Sequence, residues 1–67
     1  MINYKILSEV RKEKGVTWGY LETLINGHRG KFVDYRNGKT ALTDNEETTI
    51  ANALNVSLDY LCGKSEQ

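Results

Sequence analysis

Asn26-Gly27 divides residues 17–39 into two short segments, TWGYLETLI before it and HRGKFVDYR after it. Each carries apolar residues at the spacing of one helix face: Trp18, Leu21 and Ile25 in the first, Phe32 and Tyr35 in the second. Asparagine and glycine take positive φ more easily than other residues, so the chain is expected to turn between the two helices there. Thr17 is placed to cap the first helix of the pair. The second is expected to run from about His28 to Arg36, and Asn37-Gly38 closes it. Stepping about 100° per residue from Phe32 and Tyr35 puts Gly30, Val33, Asp34 and Asn37 outward, with Arg29 and Lys31 beside them.

The remaining residues read as three further helices around this pair. Asn3 caps a helix with Leu7 and Val10 inward and Arg11, Lys12, Glu13 and Lys14 outward, and Gly15 supplies its left-handed end. Thr43 and Glu46 form a capping box for a helix that buries Ile50, Ala51 and Leu54 and ends at Asn55. Ser57 caps a last short helix with Leu58, Leu61 and Cys62, stopped by Gly63. With no proline and glycines where helices end, the 67-residue sequence reads as a single all-α domain of five short helices over residues 1–67. Two helices across a tight glycine-containing turn is an arrangement that offers one helix to the major groove of DNA.

Composition sets bounds on function. A 39% hydrophobic and 27% charged sequence matches an ordinary globular domain, and no apolar run approaches membrane-spanning length. The first residues show no signal pattern, and a single cysteine fits a reducing compartment, so a cytoplasmic location is expected. One cysteine and one histidine do not make a zinc site, and His28 has no serine or cysteine partner in a recognisable catalytic arrangement. An enzyme, a metal, a cofactor, a membrane and a small-molecule substrate are therefore not expected. The net charge is zero, but it is unevenly placed. Residues 1–39 hold eight basic and four acidic residues, whereas residues 40–67 hold Lys64 against Asp44, Glu46, Glu47, Asp59 and Glu66. The first half is suited to face an anion and the second to face solvent or a partner.

Arg11-Lys12-Glu13-Lys14-Gly15-Val16-Thr17, Asn37-Gly38-Lys39 and the closing run from Ile50 to Leu61 together resemble the Cro/repressor-type helix-turn-helix family of phage and bacterial regulators. The resemblance covers nearly the whole chain. It implies a lambda-repressor-like DNA-binding domain that acts as a small transcriptional regulator, Cro-like in length and without a cleavable C-terminal domain. Double-stranded DNA is the implied partner. Arg29, Gly30, Val33 and Asp34 fall on the positions that read bases. Thr17, Trp18, His28, Lys31, Asn37 and Lys39 fall at or beside those that hold the DNA backbone; the indole N–H of Trp18 remains a donor where the family has glutamine. A homodimer is expected to use the last helix, with Leu58, Leu61 and Cys62 as candidate contacts. Arginine pairs with guanine, aspartate accepts from cytosine, and an apolar side chain touches the thymine methyl.

Three residues depart from that pattern. Glu22 replaces an alanine, Arg36 replaces a glutamate that pairs with the arginine matched by Arg11, and Glu47 replaces a buried aliphatic residue. The expected consequence is a rearranged ion pair, with Arg36 meeting Glu47 or Glu22 and Arg11 freed or re-paired; otherwise these side chains simply reach solvent. Two other readings stay open. The chain could be a protein-interaction module on the same fold, such as an antitoxin or adaptor. The segment from Leu24 to Val33 also looks like the GxxG loop of KH domains, which clamps single strands but needs surrounding β-strands.

Overall fold

A computed structural model describes residues 1–64; Glu66, counted in the charge tally above, lies outside them. The described chain is all-helical: α1 Tyr4–Glu13, α2 Trp18–Leu24, α3 Lys31–Arg36, α4 Asp44–Leu54 and α5 Leu58–Leu61. Among the described residues there is no strand, so the surroundings that a KH loop requires are not formed. No helix is long and apolar enough to cross a membrane.

Four helices start on their own side-chain caps. Asn3, Thr17, Thr43 and Ser57 each accept an N–H from the first turn, and Glu46 returns the bond to Thr43 N–H at 2.9 Å. Such caps each contribute on the order of 1 kcal/mol. All five helices end the same way. One left-handed residue (Gly15, Asn26, Gly38, Asn55 or Gly63) lets its own N–H bond three residues back, while the next N–H bonds five back. At the α2 end Asn26 takes the positive φ of 53°. At Gly27 a Cβ would meet Lys31 Cγ at 3.3 Å, a tight contact that asks that side chain to shift slightly.

The third helix begins later than its periodicity predicts. Residues 28–31 form a turn closed by Lys31 N–H on the His28 carbonyl at 3.0 Å, with Gly30 left-handed (φ 92°, ψ 6°) as the third residue of a type II turn. His28, Arg29 and Gly30 therefore lie ahead of α3. Phe32 and Tyr35 fall inward in either description, which is why spacing alone did not locate the start.

Leu7, Val10, Leu21, Ile25, Phe32, Ile50, Ala51, Leu54 and Leu61 form the core, joined by Ile2 from the segment before α1. That segment is held at three points. Ile2 N–H donates to Glu47 Oε2 at 3.0 Å, the Tyr35 hydroxyl donates to the Ile2 carbonyl, and Asn3 N–H donates to the Leu61 carbonyl at 2.8 Å. Glu47, 7% exposed, is thus buried as a backbone acceptor rather than as a partner of Arg36. Burial raises the Tyr35 phenol above its ordinary 10.0, with smaller electrostatic pushes upward from Glu47 and Cys62.

The expected ion-pair rearrangement does not form. Arg36 is exposed and pairs with neither acid; its Nε reaches only the neighbouring Asn37 Oδ1 at 3.5 Å. Arg11 is re-paired, but to neutral groups: Nη1 donates to the Val16 carbonyl at 3.2 Å, and the guanidinium lies 4.6 Å from the Trp18 ring centroid. Arg11 Nε is buried without a hydrogen-bond acceptor, and the negative face of the indole offsets the charge placed there.

Candidate nucleic-acid interface

The residues expected to meet DNA lie on α2, the turn after it, α3 and the residues following α3. They fall into three groups by what their side chains already do.

Two are committed to packing or to the frame. Trp18 stacks on Tyr4 (5.3 Å between centroids, 11°) and tilts against Phe32 (5.0 Å), so its ring joins α1 to α3. At the start of α2 the ring is a half-buried wedge, and its indole N–H has no hydrogen-bond partner among the described residues. Lys31 turns its ammonium onto the protein's own surface, donating to Thr40 Oγ1 and to the Ala41 carbonyl, each at 3.2 Å. It straps the connection between α3 and α4 to the start of α3. No sequence signal marks this contact, because a lysine nine or ten residues from its acceptors has no periodicity to betray it.

A second group is held by internal partners while keeping an exposed edge. Glu22 on α2 accepts the Gly30 N–H at 3.1 Å. α3 has no side-chain cap of its own, so this carboxylate takes that role across the turn and complements the helix dipole. Gly30 is then no open position on a helix: its amide is already engaged and its left-handed φ fixes the turn. His28 Nε2 lies 3.1 Å from Asp34 Oδ2. A carboxylate only accepts, so the contact selects the histidine form that carries a proton on Nε2. This pair spans six residues, which no helical spacing predicts; it exists because His28 sits on the turn. Thr17 accepts the Tyr20 N–H at 3.0 Å, and its own hydroxyl proton stays free to donate outward.

The third group is open. Arg29, Val33 (49% exposed) and Lys39 project without a side-chain hydrogen bond or ion pair among the described residues, and exposed Asn37 touches only Arg36. The surface therefore presents cations at Arg29 and Lys39 and an apolar contact at Val33. Its two acids each have one oxygen already bonded within the protein. Exposed Tyr20 and Leu24 lie one turn apart on α2.

At the other end of the chain one expected contact is corrected. Leu61 is 0% exposed, belongs to the same core as Ile2, and its carbonyl accepts the Asn3 N–H, so its side chain has no surface left to offer a second copy. Leu58 and Cys62 are half-buried against the same core. Among the described residues no group of three or more metal-ligating side chains comes together.

Compared with models of known protein families, with curated proteins and with solved structures, the chain has no match.

Proposed function

We propose that this chain binds double-stranded DNA as a helix-turn-helix protein of the Cro/repressor type, in the manner of a small phage or prophage transcriptional regulator. The supporting observation is the α2–turn–α3 surface. It exposes Arg29, Val33, Asn37 and Lys39, while each of its two acids has one oxygen bonded within the protein. In this reading α3 and the turn before it enter the major groove. Arg29, Val33 and Asp34 meet base edges, and Thr17, Asn37 and Lys39 hold phosphates. Gly30 shapes the turn, and Trp18 and Lys31 support the surface from behind. One helix of six residues offers little contact, so the binding unit is a homodimer on half-sites about 34 Å apart. The exposed edges of Leu58 and Cys62 are candidates for its interface.

A protein-interaction module is the competing reading. The observation in its favour is the acidic second half of a chain with zero net charge, together with exposed Tyr20, Leu24 and Val33. Selection from a random duplex pool, followed by titration of the selected duplex against salt, separates the two. Neutralising about four phosphates per subunit gives a log–log slope near −3.6. Arg29→Ala is expected to cost about 1–3 kcal/mol at one base position. Failure to select any duplex favours the interaction module, and an equal loss on all sequences makes Arg29 a phosphate contact.

A further inference from the structure

We infer that His28 is a positioning residue that sets base preference through Asp34, rather than a phosphate contact. Three linked contacts carry the argument. Glu22 of α2 holds the Gly30 amide at 3.1 Å, Lys31 N–H closes the turn on the His28 carbonyl at 3.0 Å, and His28 Nε2 then holds Asp34 Oδ2 at 3.1 Å. The turn sets where the His28 backbone stands, and from there the imidazole reaches one oxygen of the carboxylate. An aspartate in solution turns freely about its side-chain bonds and offers either oxygen. Here Oδ2 is engaged and Oδ1 is the one left to accept from outside. A carboxylate fixed in this way selects an amino donor, cytosine N4 in the major groove, and rejects the guanine edge, where N7 and O6 are acceptors only. The His28 and Asp34 side chains are 59% and 39% exposed. The pair is therefore a surface device whose loss leaves the core intact.

This inference rests on the duplex-binding reading, and its test keeps the two apart. The wild-type protein first selects its duplex. Wild type, Asp34→Ala, His28→Ala and His28→Gln are then titrated against that duplex and against every single-base-pair variant of it. Asp34→Ala is expected to flatten discrimination at one base pair, by about 5- to 150-fold, the equivalent of about 1–3 kcal/mol. His28→Ala is expected to flatten the same pair and no other, with unchanged helical circular dichroism. His28→Gln, whose amide N–H can donate to the carboxylate, is expected to restore part of the preference; a purely steric role predicts no such rescue. Undiminished discrimination in His28→Ala overturns the inference while leaving duplex binding standing. So does an equal loss on every sequence, or a change at a base pair that Asp34→Ala does not touch. Failure of the wild type to select any duplex overturns both.

Discussion

Replacing Glu47 tests how the segment before α1 is held. Its Oε2 accepts the Ile2 N–H at 3.0 Å in a site where Glu47 is 7% and Ile2 2% exposed. The Met1 amino group lies 3.9 Å from the same oxygen, but Met1 is exposed, so that pair adds little. The hydrogen bond is therefore the larger contribution. Glu47→Ala removes the acceptor of a buried N–H, a loss of about 1.5–3 kcal/mol for a bond to a charged group. A domain of this length has a total stability of only about 3–5 kcal/mol, so the variant is expected to retain about 0–3.5 kcal/mol. With a urea m-value near the low end, about 1 kcal/mol per molar, the midpoint should fall by about 1.5–3 M. Glu47→Gln keeps a neutral acceptor and should lose about half as much. Glu47→Leu is the decisive variant, because it supplies apolar volume but no acceptor. It is expected to stay about 1–2 kcal/mol below wild type, from the unpaired Ile2 N–H. The assay is urea unfolding of all four proteins by far-ultraviolet circular dichroism. A Glu47→Leu protein as stable as wild type refutes the reasoning, since burying the carboxylate then costs as much as its bond returns.

Two further outcomes are expected. Tyr35→Phe should cost about 1 kcal/mol at neutral pH by deleting the bond to the Ile2 carbonyl. The folded phenol titrates above its ordinary 10.0, so the unfolded chain loses that proton first. The stability Tyr35 contributes is thus complete below about pH 10 and falls as pH rises through the folded value. Urea midpoints of wild type and Tyr35→Phe should converge above pH 10; a constant gap contradicts the cause assigned to the shift. Asn55→Ala should lose about 1 kcal/mol, because alanine resists the φ of 56° at the end of α4, whereas Asn55→Gly should stay within about 0.5 kcal/mol of wild type. Thermal unfolding reads both, and equal losses would show that the side chain of Asn55, not its backbone, matters.

What the sequence reveals here is what local chemistry decides. Asn3, Thr17, Thr43 with Glu46, and Ser57 each cap a helix within three residues of themselves, so their roles are readable without the fold. The inward residues Leu7, Val10, Leu21, Ile50 and Leu54 follow from spacing in the same way. The start of α3 was not readable, because Phe32 and Tyr35 are its only buried side chains and both placements satisfy them. Partner choice was not readable either. Arg36, Glu22 and Glu47 offer opposite charges, yet Glu22 goes to a backbone amide across the turn and Glu47 to one 45 residues away. The burial of Leu61 was not readable because nothing local says that the Asn3 N–H bonds its carbonyl and that Ile2 joins its core.

The turn that delays α3 also has a consequence for how such a surface changes over generations. Arg29 occupies the second position of a type II turn ahead of α3, where helix propensity has no bearing. Its replacement alters what the surface contacts without taxing the fold. Asp34 stands differently, since it shares an oxygen with His28, and a new residue there leaves the imidazole without its partner. In the proposed duplex-binding reading, preference at the first position therefore drifts by single substitutions. At the second it moves in coupled pairs, so two neighbouring sites on one small surface are set to diversify at different rates.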